Sequence, residues 1–330
     1  FLGTRDYAFP RNDKGEYEAG APLEEAEAGL GILKDSERRV LRRASEPAVL
    51  TQAMRAQMDD SDPVTVAKSN LRSRIHRRAY MDYVGVKRYG ADGKASGETR
   101  FVGLFTAEAY DRMAKEVPLI RLKVSNALAR AGKPEGSHNY KRLKNILENY
   151  PRDELFQISE DDLLKNALGI LHLYDRPRIR LFSRHDPFDR FVSLLCFVPR
   201  ERYSVELRQR IGQILAKAYG GRVSAWYPQL SDQPLTRVHY IIGVEPGNHL
   251  NPDLREVEAE VAEAGRSWVD RFETALRNAQ FDEVAVGPTS ARWADTYGVA
   301  YRARYDADEA VADLEQFDRH SGNLIERGIF

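Results

Sequence analysis

The stretch from residue 178 to residue 287 constrains the fold most, because its apolar runs and turn residues alternate in a regular order. Ser204 is placed to cap a helix, and Gly220-Gly221 is placed to end it. The apolar face of this helix consists of Leu207, Ile211, Ile214, Leu215 and Ala218. The apolar and alternating runs around it predict strands at residues 178–182, 191–198, 223–227 and 237–244.

The second half of this stretch predicts one long helix and a last strand. Asn251-Pro252-Asp253 would open the helix with proline at its first position, and an apolar stripe runs from Leu254 to Leu276. Residues 281–286 would form the last strand. From residue 190 the order is β-α-β-β-α-β, which is typical of ferredoxin-like domains, and the strand at 178–182 is additional.

The first 105 residues predict an antiparallel sheet with flanking helices. Gly90-Ala91-Asp92-Gly93-Lys94 has the composition of a turn and would join two strands into a hairpin. Residues 10–28 predict a long loop, and residues 36–60 predict a helix interrupted at Pro47. The predicted strands are residues 1–9, 64–68, 80–89 and 99–105.

Residues 106–176 predict a helical connector, in which Thr106, Ser137 and Ser159 are N-cap candidates. The whole chain therefore predicts an α+β fold in four parts. These parts are an antiparallel α+β module at 1–105, the connector at 106–176, the ferredoxin-like module at 177–287, and a helical or linker segment at 288–330 that leads towards a further domain.

Composition limits the partners and the compartment. Lys plus Arg number 50 and Asp plus Glu number 50, so the net charge is zero, whereas nucleic-acid binders usually carry a basic excess. No apolar run approaches the roughly 20 residues of a membrane helix. Cys196, the single cysteine, is expected to be a buried small side chain in a reducing compartment. We therefore expect a cytoplasmic chain without a nucleic-acid or membrane partner.

Catalytic and cofactor motifs are missing from the sequence, which contains no phosphate loop, no H-E-x-x-H, no C-x-x-C and no G-x-S-x-G. The single G-x-G, Gly29-Leu30-Gly31, has Lys34 where a dinucleotide site needs a third glycine. We therefore expect no catalytic residue, no cofactor and no metal ligand in this chain. His185 beside Asp186 could serve as the base of a hydrolase, or the two residues could form a solvated turn.

The eleven residues from Lys68 to Arg78, here called the basic strip, hold four arginines, one lysine and one histidine. Arginine binds carboxylates and phosphates through paired hydrogen bonds, and asparagine adds a short donor. The strip is therefore a candidate anion or effector site, or alternatively a nucleic-acid-binding module with a steep salt dependence. A third interpretation is a solvated strand face paired with the acids of residues 24–37. The candidate residues are Asn70, Arg72, Arg74, His76 and Arg77.

Arg200 and Arg202 form a second basic group before the helix that Ser204 caps. Free N–H groups at a helix N-terminus attract anions, so these two arginines are also candidates for effector binding. The alternative is that both arginines lie exposed on a loop.

Five long blocks of the sequence carry a resemblance that covers nearly the whole chain. The blocks are KSNLRS at 68–73, HRRAYMDYVGVK at 76–87, ETRFVGLFT at 98–106, YPRDELFQI at 150–158 and RFVSLLCFVPR at 190–200. In their order they resemble the N-terminal half of the large NAD-dependent glutamate dehydrogenases of bacteria. That family has ACT-type and PAS-like modules before its dehydrogenase domain. The chain also begins at Phe1 in a strand pattern, so we expect it to be a piece of a longer polypeptide.

The resemblance implies a PAS-like module at residues 1–105 and an ACT-like module from about residue 177. It implies NAD as cofactor of the parent enzyme, with none bound in this segment, and it implies a regulatory or oligomerisation role. The implied partners are the chain's own catalytic domain, other copies of the chain in a homo-oligomer, and an amino-acid effector. Ligand-binding ACT modules usually have glycine after the first strand, where this chain has Pro199-Arg200-Glu201-Arg202. Assembly is therefore at least as well supported as amino-acid sensing.

Overall fold

The computed structural model describes residues 1–18, 22–25, 29–35, 40, 52–60, 62–230, 233–245 and 250–319. Two antiparallel sheets enclose a layer of helices, and a group of further helices follows the second sheet. The predicted α+β class is confirmed, and so is the placement of helices between the two groups of strands.

The first sheet has six strands in the order β2-β1-β6-β5-β4, and β3 also pairs with β1. The strands are β1 (Gly3–Ala8), β2 (Leu23–Glu24), β3 (Leu30–Gly31), β4 (Val64–Arg72), β5 (Tyr80–Tyr89) and β6 (Ala95–Gly103). The predicted hairpin is confirmed, although its second strand begins at Ala95 instead of Thr99. The strand predicted at 64–68 continues to Arg72, so the basic strip begins inside β4.

Of two other predictions for this region, the structure corrects one and confirms part of the other. The loop predicted at residues 10–28 contains β2, which forms because Leu23 and Glu24 pair with Ala8 and Tyr7 of β1. The helix predicted at 36–60 is confirmed in its last part by α1 (Gln52–Asp59). Its interruption at Pro47 lies outside the described residues.

The helical layer follows β6 and confirms the predicted connector. It consists of α2 (Ala107–Asp111), α3 (Ile120–Arg130), α4 (His138–Glu148), α5 (Arg152–Gln157) and α6 (Glu160–Asp175). Ser137 and Ser159 cap α4 and α6 through their side chains, as predicted. Thr106 occupies the N-cap of α2 without a side-chain hydrogen bond.

The helical layer shares one hydrophobic core with both sheets. Val66 of the first sheet lies in the same buried cluster as Leu143, Leu147 and Leu155 of the helices. The second sheet contributes Phe182, Leu195, Phe197 and Leu235 to that cluster. Because apolar burial is the main force of folding, the two sheets and the helices between them stabilise one another.

The second sheet has the strand order β7-β8-β10-β9 and is antiparallel throughout. It consists of β7 (Arg180–His185), β8 (Phe191–Pro199), β9 (Arg222–Gln229) and β10 (Leu235–Gly243). Two helices, α7 (Val205–Ala218) and α8 (Leu254–Ala264), cover the face opposite the helical layer. Ser204 caps α7 and Gly220, with φ of 62°, ends it, as predicted.

The strand predicted at residues 281–286 is wrong, because these residues begin the helix α10 (Glu283–Ala294). Gln280 has a left-handed backbone with φ of 63°, and Asp282 then caps the helix by accepting a hydrogen bond from the N–H of Val284. The outer position beside β8 is taken by β7, which had been predicted as additional. The ferredoxin-like sheet is therefore complete, with its fourth strand supplied from before the first.

The single long helix predicted from residue 251 onward is also wrong in two respects. Asp253 is the N-cap of α8, so Pro252 precedes the helix instead of occupying its first position. The helix ends at Gly265, and Ser267 with Asp270 forms a capping box that starts α9 (Trp268–Asn278). The helices α9, α10, α11 (Val299–Arg304) and α12 (Ala307–Arg319) follow the sheet, and α9, α10 and α12 share a separate core.

Candidate interaction site

The basic strip starts with a lysine that is held inside the protein. Nζ of Lys68 lies 2.6 Å from a carboxylate oxygen of Asp82 and 3.0 Å from one of Asp153. Burial acts to lower the pKa of Lys68, but the carboxylates of Asp153 and Asp82 outweigh burial and raise it. Lys68 therefore joins β4 to α5, and its charge is already neutralised.

Two candidate arginines of the strip lie on the surface against tyrosine rings. The guanidinium of Arg72 stands 4.5 Å from the ring centre of Tyr80, and that of Arg77 stands 5.0 Å from the ring centre of Tyr110. Such contacts orient a guanidinium while leaving its edge accessible to solvent. These arginines therefore face different neighbours, one on β5 and one on α2.

The other candidates of the strip are spread along β4 and the loop after it. Asn70 is half-buried, and its backbone N–H donates to the carbonyl of Val40 at 2.7 Å. Arg74 and His76 are exposed in the loop, where His76 has φ of 63°. None of these candidates lines the cleft beside α8 or the cleft beside α7, and anion binding by the strip stays a prediction.

Two of the acids that could have paired with the strip bind other arginines. Glu24 forms an ion pair with Arg5, and Glu25 forms one with Arg88. Arg5 lies in β1 and Arg88 lies in β5, so both belong to the first sheet and neither is part of the basic strip. These ion pairs therefore fasten the edge of the sheet beside β2.

The second basic group lies in a short 3-10 turn between β8 and α7. Both Arg200 and Arg202 are exposed there, and the guanidinium of Arg202 lies 3.3 Å from the carboxylate of Asp270. Arg202 also lines a cleft of about 460 Å³, here called the β7 cleft, between the start of β7 and α8. Arg200 is not among the residues that line it.

The strand β9 forms an open edge of the second sheet, here called the β9 edge. Seven of its eight residues are exposed, and among the residues that the structure describes β9 pairs with β10 alone. Its exposed apolar side chains include Val223, Trp226 and Tyr227, and Tyr227 is 60% exposed. At the opposite edge, β7 is largely covered.

The side chain of Trp226 in the β9 edge is held in place by a residue of α7. The guanidinium of Arg208 on α7 lies 3.5 Å from the ring centre of Trp226, which is a close cation–π contact. Both residues line a second cleft of about 410 Å³ together with Gly212, Val223 and Tyr240. Trp226 is thus positioned in advance, so ordering it in an interface would cost little conformational entropy.

A buried polar network, here called the interlayer network, connects the helical layer to the second sheet. Glu154 of α5 receives two hydrogen bonds from Arg184 of β7. On the neighbouring strands, Oγ of Ser193 lies 2.8 Å from Nε2 of His239. All four side chains are less than a tenth exposed. The sequence interpretation did not identify this network.

Protonation in the interlayer network follows from its surroundings. Burial would raise the pKa of Glu154, but the charge and hydrogen bonds of Arg184 lower it to about 2. Burial lowers the pKa of His239, against the opposing effect of Glu154. The same Nε2 atom faces both Ser193 and Glu154, the latter at 3.7 Å, so the carboxylate does not orient the ring from its other nitrogen. The geometry thus differs from a catalytic triad, in which base and carboxylate use opposite ring nitrogens.

The hydrolase hypothesis for His185 and Asp186 is weakened, because the carboxylate of Asp186 is bound by another residue. The carboxylate of Asp186 accepts hydrogen bonds from Nε of Arg190 at 2.6 Å and from Nη2 at 2.9 Å. The backbone N–H of Arg190 also donates to it, so Asp186 closes the loop between β7 and β8. The thiol of Cys196 lies fully buried in β8, and burial raises its pKa.

Two features are absent from the part of the chain that the structure describes. Within those residues, no group of three or more His, Cys, Asp or Glu side chains is arranged to hold a metal ion. Over the same ranges, no helix has both the length and the apolar character needed to span a membrane.

Family profiles match three parts of the chain. Residues 180–269 match the profile "Glutamate dehydrogenase, ACT2 domain", which covers the second sheet with α7 and α8. Residues 117–176 match "Glutamate dehydrogenase, helical motif 1", and residues 279–319 match "Glutamate dehydrogenase, helical motif 2". The helical layer and the helices after α9 are therefore similar to named parts of this family.

Curated proteins similar to the chain carry one name. The chain is 36% identical over 263 residues to the NAD-specific glutamate dehydrogenase of Halomonas elongata, a match that covers 80% of the chain. It is 35% identical over 76% of its length to that of Pseudomonas aeruginosa, and 29% identical over 88% to that of Mycobacterium tuberculosis. These matches cover 16%, 16% and 17% of the relatives, so the chain spans about one sixth of their length.

Proposed function

The chain belongs to the NAD-specific glutamate dehydrogenase family, and we propose that it is a regulatory and assembly segment without catalytic residues of its own. The parent enzyme would oxidise L-glutamate with NAD and water to 2-oxoglutarate, ammonium and NADH in a domain outside this chain. Residues 1–105, 106–176, 177–287 and 288–330 would be its PAS-like module, connector, ACT-like module and helical segment. Its partners would be that catalytic domain, other copies of the chain and an amino-acid effector.

The β9 edge is the observation that carries the assembly role. An open edge strand offers unpaired backbone N–H and C=O groups, which proteins usually protect with charges, prolines or covering segments. In β9 the charged side chain is Arg222, at one end, and Pro228 stands next to the other end. The residues between them keep their N–H groups and expose apolar side chains on both faces.

A second copy of the chain is the partner that suits this edge. Two β9 strands related by a two-fold axis would pair antiparallel and extend the four-stranded sheet to eight strands. Each copy would then place its Val223 and Tyr227 beside apolar side chains of the other copy, which stabilises cross-strand pairs. The formal net charge of zero means that two copies approach without net repulsion.

Sedimentation of the purified chain tests this assembly role. We expect wild type to sediment as a dimer, and we expect the double variant Val223→Lys/Tyr227→Lys to sediment as a monomer, because two charges would meet across the edge. Leu122→Lys is the matched control, since Leu122 is 57% exposed on α3, away from β9, and this variant should stay dimeric. Pairing through β9 would be refuted if the wild-type chain were a monomer at about 100 µM, a concentration at which a specific dimer would form. A double variant that still sedimented as a dimer would refute it as well.

The absence of catalysis has its own test. The chain, mixed with L-glutamate and NAD, should produce no NADH by absorbance, whereas the full-length Pseudomonas aeruginosa relative serves as positive control. Glutamate-dependent turnover by the chain itself would overturn the non-catalytic assignment. The result is independent of the sedimentation result, because it depends on the chain's residues and not on its pairing.

A further inference from the structure

The β7 cleft lies at the end of the second sheet that is farthest from β9 in the strand order. Its walls are the segment that leads into β7 together with the first residue of that strand, the turn that follows β8, and one face of α8. With a volume of about 460 Å³, it falls within the range of about 300–1,000 Å³ typical of small-molecule sites. The cleft is therefore large enough for a small metabolite.

The charge of the cleft departs from the balance of the whole chain. The residues lining it include four arginines and two glutamates, so its lining carries a formal excess of two positive charges. The arginines are Arg178, Arg180, Arg202 and Arg255, and the glutamates are Glu201 and Glu258. Because the chain as a whole has no net charge, this local excess is a property of the cleft.

Two of the four arginines are already engaged. Nη1 of Arg180 lies 2.7 Å from Oε1 of Glu258, and the other oxygen of that carboxylate accepts a hydrogen bond from the N–H of Leu181 at 3.1 Å. Arg202 contacts Asp270 at 3.3 Å. These contacts hold one side of the cleft in place and occupy the charge of Glu258.

The other two arginines remain available. Among the residues that the structure describes, the side chains of Arg178 and Arg255 make no hydrogen bond and no ion pair. Arg178 comes from the segment before β7 and Arg255 from the first turn of α8, so they approach the cleft from different elements. Two free guanidinium groups in one cleft match two negative charges, since each can form paired hydrogen bonds to a carboxylate or phosphate.

The remaining lining includes two prolines and two alanines. Pro177 and Pro199 have fixed backbone φ angles, and Ala259 and Ala262 are small residues on the face of α8. Small side chains on that wall let a ligand approach the helix closely. The side chains of the two prolines add no polar group to the lining.

We propose that the β7 cleft binds a small dianion, held between Arg178 and Arg255. The shared chemistry is two negative charges on a compact molecule, supplied either by a dicarboxylate or by a phosphate group. The site is separate from the β9 edge, so the proposal stands whether or not the chain pairs through that edge.

Calorimetric titration of the chain at low ionic strength tests the proposal with three probes: succinate, inorganic phosphate and acetate. We expect succinate or phosphate to bind, and we expect acetate, with a single charge, to bind about tenfold more weakly or not measurably. Saturation by succinate alone identifies a dicarboxylate site, and saturation by phosphate alone identifies a phosphate site. Saturation by both supports recognition of the charge pair. Absence of binding by both dianions up to about 10 mM overturns the proposal.

Variants then place the binding in the cleft. Arg178→Gln and Arg255→Gln should each weaken dianion binding about tenfold or more, because each removes a charge-assisted pair of hydrogen bonds. Arg121→Gln is the matched control, since Arg121 is exposed on α3 and is not part of the cleft, and it should bind like wild type. Arg178 and Arg255 are both exposed, so the folding of their variants should be unaffected. Circular dichroism checks this. Wild-type affinity in both cleft variants would overturn the assignment.

Discussion

Both carboxylate oxygens of Glu154 accept hydrogen bonds from the guanidinium of Arg184, from Nε at 2.7 Å and from Nη2 at 2.8 Å. Glu154 belongs to the helical layer and Arg184 to the second sheet, and their side chains are 3% and 8% exposed. The geometry allows one relative position of the two elements, because a bidentate pair fixes both distance and orientation. The pair therefore sets how the connector meets the ACT-like module.

Removing one partner of this pair should destabilise the fold. Glu154→Gln leaves the guanidinium of Arg184 buried without its counter-charge, and breaking a buried pair in this way costs about 3–5 kcal/mol. The expected result is a loss of that size in the free energy of unfolding, measured by urea denaturation at neutral pH.

A surface pair provides the control for this change. Arg130 and Asp161 lie 2.6 Å apart with side chains that are 47% and 82% exposed, so Asp161→Asn should cost about 1 kcal/mol or less. Equal losses in the two variants would contradict a special role for burial at Glu154.

His239 should make the protein sensitive to mild acid. Burial lowers its pKa in the fold below the usual value of 6.5, so the unfolded chain takes up a proton at a higher pH than the folded chain does. Its contribution to stability is therefore complete above pH 6.5 and is lost as the pH falls from there towards the folded pKa. The slope reaches at most about 1.4 kcal/mol per pH unit for one proton.

The variant His239→Gln isolates this effect. Glutamine keeps a hydrogen-bonding group beside Ser193 but does not titrate, so its unfolding free energy should vary less with pH between about 6.5 and 5. His172→Gln changes an exposed histidine of α6 and should retain the wild-type slope. The idea fails if wild type and His239→Gln show parallel curves in urea unfolding across this range.

Gly169 in α6 should resist replacement by alanine. A Cβ atom there would lie 2.7 Å from Cε1 of Phe182, whose ring is buried against Phe197. The expected loss from overpacking, about 1–3 kcal/mol, exceeds the gain of about 1 kcal/mol from better helix propensity. Gly212→Ala in α7 is the comparison, because its nearest contact is 3.3 Å and involves a methyl group of Val223 on the open edge. Thermal unfolding should rank Gly169→Ala below Gly212→Ala, and the reverse order would contradict this packing argument.

Local signals in the sequence were sufficient for much of the fold. Ser137, Ser159 and Ser204 were predicted as caps and cap their helices, because capping depends on residues within one turn. The apolar run at 191–198 was predicted to be a buried strand and is the buried strand β8. In these cases the residues that determine the structure are neighbours in the chain.

Residues 281–286 show where local signals failed. A short apolar run fits either a strand or a buried helix turn, and periodicity alone cannot separate the two. Val284 is 82% exposed and Val286 is buried, and Val286 packs with α9 and α12 instead of a sheet. A useful signal was present at Ser267, since Ser267 and Asp270 have capping-box spacing and mark the break that the continuous apolar stripe concealed.

The candidate sites depend on contacts between residues distant in the chain. Glu154 and Arg184 are 30 positions apart, and no spacing rule links an acid on a helix to a base on a later strand. The β7 cleft likewise unites Arg178, Arg202 and Arg255 from three elements, and Arg202 alone had been a candidate. Prediction from the sequence identified residue types that bind anions, but it could not decide which of them share a surface.

The position of β7 in the second sheet affects the order in which this part of the chain can fold. In a chain with the predicted order, the fourth strand would come last, after the second helix. Here β7 precedes β8, and all four strands lie between Arg180 and Gly243. The complete sheet can therefore assemble without waiting for a strand from the part of the chain that follows α8.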